Sequence, residues 1–317
     1  MNVERVVCDK LNKMDAMCYA EKVAHSYMQK KIRCAKYLGG GSFGKAVLIC
    51  FEDDTKMVIK FILPSGMIYK ETHDIKLLHD HCNIKMPNII FVREKNNEVP
   101  FDCYAMEYIE GKPLIYDFAM YLKGKKARLA LGEVIVDALH NIHKCKNEKF
   151  GDTLNPIYDS WIDCYKPFAE KVYIEAEKMY KQGKLSKKVF ATMSKAWANF
   201  DKIFEENVSE ACLIHGDLNV VNIMVDKNHT VSGFIDPLNS MYADKEYDLF
   251  QFYNLTGKRF YLGELYKKKY GASKHFDEKI AFYGLWNEVF CYIKSGVYVF
   301  FIMNPLIKNM KKVLKNL

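Results

Sequence analysis

Two acidic residues and one amide in the second half of the chain have the types and order that phosphate chemistry needs. The stretch 214–222, IHGDLNVVN, contains Asp217 and Asn222, and Asp236 follows after two short apolar runs. A carboxylate can accept the proton of an attacking hydroxyl, while an amide and a second carboxylate offer oxygen ligands to Mg²⁺ on nucleotide phosphates. The apolar runs predict a hairpin that places Asn222 and Asp236 face to face. The pattern therefore favours phosphoryl transfer to a hydroxyl.

A glycine-rich stretch near the N-terminus, LGGGSFGKAV, nearly satisfies two phosphate-binding patterns. As a Walker A loop it fails at Ala46, where a hydroxyl is needed for Mg²⁺, and the residues that follow predict a strand instead of a helix. As G-x-G-x-x-G it is a hairpin in which Gly39, Gly41 and Gly44 let the backbone approach ATP phosphates. Ser42 lies inside this loop. We therefore assign Gly39, Gly41, Ser42 and Gly44 to nucleotide binding.

A lysine in the next strand pattern is the candidate phosphate anchor. Lys60 is the single charge in the apolar run VIKFI, whereas Lys45 follows the last glycine and is expected to point to solvent. Glu71 begins a helical pattern with one charged and one apolar face, so that it can pair with Lys60. Asp74 is the alternative partner. An exposed strand lysine and a solvated helix face are the alternatives for the pair as a whole.

These residues must be positioned by two parts of different structure. Strand-like runs occupy residues 33–38, 46–51, 57–63, 89–93 and 104–108. Helical spacing follows, with long helices predicted over residues 162–181 and 187–206, and the residues up to 34 are also predicted to be helical. Gly and Pro within residues 107–113 are typical of a connector. The prediction is an α+β protein with a strand-rich part, residues 1–109, and a helical part, residues 110–317.

The ordered set of motifs resembles the protein-kinase-like fold, and H-G-D-x-x-x-x-N resembles its aminoglycoside phosphotransferase branch. The residues that carry the resemblance are Gly39, Gly41, Gly44, Lys60, Glu71, the connector 106–109, Asp217, Asn222, Asp236 and Asp248. The resemblance implies two lobes, a β-rich N-lobe and a mainly helical C-lobe with a helical substrate-binding insert. It also implies that Asp217 is the catalytic base and that His215 braces its loop.

The same resemblance implies roles for the nucleotide-binding residues. Asn222 and Asp236 would be Mg²⁺ ligands, and Lys60 would anchor the phosphates of ATP. The connector backbone, with Glu107 and Ile109, would contact adenine. The cofactors implied are therefore ATP and Mg²⁺.

Spacing separates the small-molecule branch from the protein kinases. The stretch between Asp236 and Asp248 is too short for an activation and peptide-docking segment, while a long stretch before His215 has room for a substrate-binding insert. The sequence favours an ATP-dependent kinase of a small hydroxylated molecule, such as an aminoglycoside-like antibiotic, an aminosugar or a ketosamine. Antibiotic resistance is one function that this implies. A protein kinase and an inert nucleotide-binding pseudokinase are the alternatives.

The motifs leave two subtypes of the family as alternatives. The stretches 235–237, IDP, and 247–249, YDL, resemble fructosamine kinases, which have D-P in place of D-F-G. Asn219, where that group usually has Trp, and Ala243, in place of Gly, depart from it. A polycationic aminoglycoside would require an acidic pocket, which the lysine-rich C-terminal part of the sequence does not indicate. The subtype stays open.

Composition sets the remaining expectations. The chain has 317 residues, a net charge of +8 and 50% hydrophobic residues, which indicates a globular protein with a sizeable core. Its start lacks the apolar region of a secretory signal, and the apolar run 295–303 is too short to span a membrane, so we expect a buried helix there. Ten cysteines without C-x-x-C indicate free thiols in a reducing cytoplasm. No interleaved basic and aromatic groove suggests nucleic-acid binding, and the oligomeric state is undetermined.

Overall fold

The computed structural model describes residues 3, 10–41 and 43–317, and its N-lobe is built around an antiparallel sheet. The sheet has five strands in the order β1-β2-β3-β5-β4. The elements of the N-lobe are α1 (Lys13–Met28), β1 (Ile32–Gly39), β2 (Gly44–Phe51), β3 (Lys56–Ile62), α2 (Ile68–His81), β4 (Ile89–Arg93) and β5 (Asp102–Glu107). The predicted strands are confirmed, with ends that differ by at most two residues.

The two helices of the N-lobe cover opposite faces of this sheet. Because side chains alternate along a strand, Ile59 and Phe61 pack with α1, while the opposite face of β3 is turned towards α2. Lys60 lies on that second face, directly opposite Tyr104 of β5. The strand period therefore places the lysine under α2, the helix that carries Glu71.

The C-lobe is mainly helical and contains two small sheets. Its helices are α3 (Phe118–Leu122), α4 (Lys125–His143), α5 (Trp161–Lys181), α6 (Lys187–Trp197), α7 (Phe200–Ile203), α8 (Glu246–Leu249), α9 (Leu262–Tyr270), α10 (Phe276–Ser295) and α11 (Phe300–Val313). Its strands are β6 (Lys112–Pro113), β7 (Lys146–Asn147), β8 (Phe150–Asp152), β9 (Asn155–Tyr158), β10 (Ala211–Leu213), β11 (Ile223–Val225), β12 (Val231–Phe234) and β13 (Met241–Ala243). The sheet orders are β7-β10-β13-β8-β9 and β12-β11-β6.

The main core lies among the helices of the C-lobe and is rich in aromatic side chains. Tyr165 of α5 and Tyr283 of α10 lie 5.0 Å apart in an edge-to-face arrangement, and Tyr247 of α8 packs against both. Such pairs add to the apolar area that the rings bury. Because α8 also carries Asp248, this aromatic core fixes the segment that follows the predicted metal ligand Asp236.

Three sequence expectations about helices are wrong. The helix predicted up to residue 34 ends at Met28, because Gln29 adopts the left-handed conformation with φ 50° and the chain then enters β1. Residues 1–2 and 4–9 of that prediction lie outside the described part of the chain. The predicted helix over residues 187–206 is divided into α6 and α7. The Asn199 side chain donates to the Lys195 carbonyl at 2.9 Å, which competes with continuation of the helix.

The third error concerns the apolar run 295–303. Helix α10 ends there, because Gly296 adopts φ 72° and its N–H closes the last turn on Tyr292 at 2.9 Å. Phe300 and Phe301 then begin α11 and are exposed, so the run is not a buried helix. Within the described residues, no helix combines the length and apolar character that a membrane crossing requires. The described cysteines all have free thiols.

Candidate active site

The predicted base, Asp217, lies in the loop between β10 and β11. Gly216 turns the chain there with φ 81°, and a side chain at this position would meet the Leu238 carbonyl oxygen at 2.2 Å. The close approach explains the glycine of the H-G-D motif. It also shows that the catalytic loop packs directly against the segment that follows Asp236.

Three side-chain amides hold the Asp217 carboxylate. Oδ2 accepts from Asn222 Nδ2 at 3.0 Å, and Oδ1 accepts from Asn219 Nδ2 at 3.0 Å and from Gln251 Nε2 at 2.8 Å. Burial, and after it the nearby charge of Asp236, raise the pKa of Asp217 to about 7, although the hydrogen bonds from the two asparagines oppose the shift. A carboxyl group with this pKa is suited to general-base catalysis near neutral pH.

Gln251 was not found from the sequence, and Asn219 was considered only as a mark of subtype. Gln251 lies in a short 3₁₀ segment, Phe250–Tyr253, directly after α8, and is buried. The one available signal was a polar residue inside the apolar run LFQF.

The Asp248 carboxylate binds the backbone of the catalytic loop. It accepts the backbone N–H of His215 at 2.8 Å and that of Gly216 at 2.9 Å. His143 of α4 contacts the same carboxylate at 3.3 Å and the Tyr266 hydroxyl at 2.6 Å. Burial lowers the pKa of His215, which favours the neutral ring whose Nδ1 accepts the Asp217 N–H at 3.3 Å.

The predicted ion pair of the N-lobe is confirmed. Lys60 Nζ donates to Glu71 Oε1 and to Asp236 Oδ1, and Tyr104 donates to Glu71 Oε1 at 2.7 Å. Burial disfavours the charged lysine, but its acidic neighbours outweigh burial and raise the pKa of Lys60 well above its usual range. Lys60 is therefore a fixed ammonium group. Asp74, the alternative partner of Lys60, pairs with Lys70 instead.

The glycine loop covers a cleft of about 420 Å³ between the lobes. The cleft is lined by Gly39, Gly41 and Gly44, by Lys60 and Glu71, by the connector residues Met106, Glu107, Tyr108 and Ile109, and by Asn222 and Asp236. A side chain at Gly44 would meet the Phe61 carbonyl oxygen at 2.8 Å, whereas one at Gly41 would meet nothing within 4 Å. Ser42 lies outside the described residues. Lys45 donates to the Gly41 carbonyl at 3.2 Å on the exposed side of the loop.

The two predicted metal ligands lie at the ends of one hairpin. Strands β11 and β12 pair in antiparallel register, and Ile235 N–H donates to the Asn222 carbonyl at 3.0 Å, so that Asn222 and Asp236 are brought close together. The predicted hairpin is thus confirmed. The Asn222 amide donates to Asp217 and, within the described residues, its Oδ1 accepts no hydrogen bond. The Asp236 side chain is 53% exposed towards the cleft.

This donor set fits Mg²⁺ better than a soft metal. An amide oxygen and a carboxylate suit a hard cation that takes its other ligands from phosphates and water. In the part of the chain that the structure describes, no group of three or more His, Cys, Asp and Glu side chains could hold a metal ion.

Fold and site together define a kinase-like phosphotransferase. The profile of the phosphotransferase enzyme family, the aminoglycoside phosphotransferase group, matches residues 53–273, more than half of the chain. The chain belongs to this family. No curated protein matches it by sequence.

Solved structures show the same fold at low sequence identity. A putative fructosamine-3-kinase from Haemophilus somnus is 16% identical with a TM-score of 0.66, and the match covers 95% of this chain and 99% of that chain. One from Thermobifida fusca is 15% identical with a TM-score of 0.63, covering 93% and 98%. The GDP complex of aminoglycoside 2'-phosphotransferase-IIIa is 13% identical with a TM-score of 0.67, covering 96% and 99%. The predicted fold class is confirmed.

Proposed function

We propose that this protein is an ATP-dependent kinase that phosphorylates a hydroxyl of a small amine-bearing molecule, such as an aminoglycoside-like antibiotic, an aminosugar or a ketosamine. The observation that carries the proposal is the Asp217 carboxylate, held by three amides where the cleft with Lys60 meets the catalytic loop. A protein kinase and an inert nucleotide-binding protein were the sequence alternatives. The family match favours neither of them.

Each charged group of the site has one role in the proposed reaction. The acceptor hydroxyl gives its proton to Asp217 while its oxygen bonds to the γ-phosphorus, and the bond from that phosphorus to the bridging oxygen of the nucleotide breaks. Lys60, oriented by Glu71, holds the phosphates through its ammonium group. Asn222 and Asp236 would hold Mg²⁺, which would supply positive charge to the phosphates.

Nucleotide recognition is proposed for the rest of the cleft. Gly39, Gly41, Ser42 and Gly44 supply backbone N–H groups to the phosphates, and the connector with Glu107 and Ile109 contacts the base. Related structures hold ADP, GDP or ATP. We propose ATP as the donor, and parallel assays with GTP test this choice.

A small acceptor is supported by the path of the chain after Asp236. The segment enters β13, which is paired on both sides with β10 and β8, and then α8, whose residues are buried. This path leaves no extended platform for a peptide. Two of the related phosphotransferases have been solved with kanamycin or gentamicin bound, and others are putative fructosamine kinases. Their names support an acceptor with amines and hydroxyls.

The test is turnover against a panel of acceptors. The purified protein is incubated with Mg²⁺ and ATP or GTP, together with aminoglycosides, aminosugars, ketosamines or a peptide mixture. We expect nucleoside diphosphate release and a gain of about 80 Da on one small acceptor, the mass of the transferred phosphoryl group. The Asp217→Asn variant, of nearly equal size, is the control. Phosphorylation of peptides alone, or no transfer to any acceptor, would contradict the proposal.

A further inference from the structure

A buried polar cluster connects α2 of the N-lobe to two segments of the C-lobe. It consists of Lys70 and Asp74 on α2, Thr153 in the turn between β8 and β9, and Ser240 just before β13, and we call it the α2 clamp. Asp74, Thr153 and Ser240 are all buried. The clamp lies outside the nucleotide cleft, and no step proposed above uses it.

The clamp is a closed hydrogen-bond network. Lys70 Nζ donates to Thr153 Oγ1 at 3.0 Å, to the Ser240 carbonyl at 2.8 Å, and to Asp74 Oδ2 one helical turn away. The Thr153 hydroxyl donates in turn to Asp74 Oδ1. The half-buried charge of Lys70 and the buried charge of Asp74 are thus paired with each other. The Thr153 hydroxyl ties both of them to the C-lobe, and the Ser240 carbonyl ties Lys70 to it a second time.

Both ends of this network reach the proposed catalytic residues. Lys70 directly precedes Glu71, the partner of Lys60. Ser240 donates through its own hydroxyl to the His215 carbonyl at 3.0 Å, two residues before Asp217. The clamp therefore spans from the ion pair of the N-lobe to the catalytic loop of the C-lobe.

The apolar packing of α2 is uneven along the helix. Ile68 and Ile75 pack in a minor cluster against β3, β4 and β5, whereas Leu78, near the C-terminal end of α2, lies in the main core. The turn that carries Glu71 is therefore not held by the main core, and a polar restraint there helps Glu71 to keep its geometry. In protein kinases, correct placement of the corresponding helix is required for its glutamate to pair with the lysine.

We infer that the α2 clamp holds α2 where Glu71 can orient Lys60, and that Lys70 and Thr153 are positioning residues for phosphoryl transfer. The hairpin β8–β9, part of the C-lobe insert, thereby acts on the N-lobe helix. This inference rests on the proposed function for its kinetic consequences, but its structural part can be measured without turnover.

The kinetic test compares two identical changes at buried threonines. Thr153→Val removes the clamp hydroxyl, whereas Thr72→Val removes a hydroxyl of α2 that bonds only within the helix, to Ile68 at 2.8 Å and to Tyr69 at 3.3 Å. We expect Thr153→Val to lower kcat/KM for the nucleotide roughly tenfold, because Asp74 loses its hydrogen bond to the C-lobe and Lys70 is left with its C-lobe contacts to the Ser240 carbonyl and, at 3.9 Å, to Asp152. KM for the acceptor should change little. Thr72→Val should lose thermal stability to a similar degree without the kinetic loss.

Two further variants separate positioning from folding. Thr153→Ser keeps the hydroxyl and should recover most of the lost kcat/KM. In a Glu71→Gln background, Thr153→Val should have almost no additional kinetic effect, because the clamp would then have no ion pair to position. A full additional loss in that background, or equal kinetics of Thr153→Val and Thr72→Val, would overturn the inference.

Hydrogen exchange distinguishes a failure of the clamp from a failure of the proposed function. Amides of α2 should exchange faster in Thr153→Val than in Thr72→Val, whether or not any acceptor is phosphorylated. If the wild-type protein transfers no phosphate but α2 exchange responds as expected, the proposed function fails and the restraint on α2 stands. If α2 exchange is the same in both variants, the clamp inference fails by itself.

Discussion

The glycine loop and the catalytic loop serve opposite ends of the proposed nucleotide site but differ in construction. Around Asp217, three amide side chains from two segments converge, and a backbone carbonyl lies 2.2 Å from any side chain built at Gly216. At Gly41, by contrast, an added side chain would meet nothing within 4 Å, and Gly39 and Gly40 have positive φ values of 137° and 158°. The catalytic loop is fixed by buried hydrogen bonds, whereas the glycine loop is closely packed at Gly40, where a side chain would meet the Gly44 carbonyl at 2.3 Å, and has open space at Gly41.

The difference matches the tasks proposed for the two loops. A base must be placed within hydrogen-bond reach of one hydroxyl, which requires a rigid carboxylate with a tuned pKa. A phosphate cover needs only backbone N–H groups that approach closely, and it must also open for exchange of the nucleotide. Substitutions in the catalytic loop should therefore change kcat, while those in the glycine loop should change KM for the nucleotide.

The largest effect is expected from Asp217→Ala. We predict that kcat falls by about 10²–10⁴-fold while nucleotide affinity stays nearly unchanged, because the base acts on the hydroxyl in the transition state. Steady-state kinetics and calorimetric titration with ATP would measure the two quantities. A variant with near wild-type turnover would break the assignment of the base.

Substitution of the two lysines near the glycine loop should have very different effects on kcat/KM. Lys60→Ala is expected to reduce kcat/KM by about 10²–10³-fold, since it removes a fixed ammonium group from the phosphates. Lys45→Ala should be nearly silent, because Lys45 Nζ donates to the loop backbone at the Gly41 carbonyl, on the exposed side of the loop. Kinetics of both variants under the same conditions provide the comparison. The reverse order of effects would restore the Walker interpretation of the loop.

Substitution of either proposed metal ligand should change the Mg²⁺ dependence of the activity. Asn222→Ala and Asp236→Ala each remove one oxygen ligand, so each variant should need more Mg²⁺ for half-maximal activity, by roughly tenfold. A Mg²⁺ titration of kcat/KM measures the shift. Unchanged metal dependence in both variants would place the metal site elsewhere.

Smaller effects are expected from substitution of two glycines of the same loop, and their effects on stability should differ. Gly44→Val is expected to lose both stability and nucleotide affinity, because its side chain would meet the Phe61 carbonyl at 2.8 Å. Gly41→Val has open space and should lose only nucleotide affinity, by roughly tenfold, since the new side chain blocks the approach of backbone N–H groups to the phosphates. Thermal denaturation and KM for ATP measure the pair. Equal losses of stability would contradict the difference between the positions.

Features set by local pattern were predictable from the sequence. The alternation of β3 placed Lys60 on one face, and the period of α2 turned Glu71 towards it, so their pair could be inferred before the fold was known. The hairpin between Asn222 and Asp236 follows from two adjacent apolar runs. The division at residues 109 and 110, a cytoplasmic location and the absence of a nucleic-acid partner stay predictions.

Features set by contacts between distant segments were not predictable. Gln251 reaches Asp217, and His143 reaches Asp248, across long intervals of chain, and neither has a spacing rule that marks it. Lys70 and Asp74 have the spacing of an ordinary exposed i,i+4 pair, and only tertiary packing shows that Asp74 is buried. The exposed run at 297–301 was mistaken for core, because apolar composition alone does not indicate where a helix ends.

The pH dependence of kcat tests the central claim, a buried Asp217 base, most directly. Because burial raises the pKa of Asp217 to about 7, kcat should be lost as the pH falls through this value and should level off above it. Gln251→Leu removes a donor to the carboxylate at 2.8 Å, which should move the inflection to higher pH. A kcat that is flat from mildly acidic to mildly alkaline pH, or an inflection unmoved by Gln251→Leu, would contradict the account.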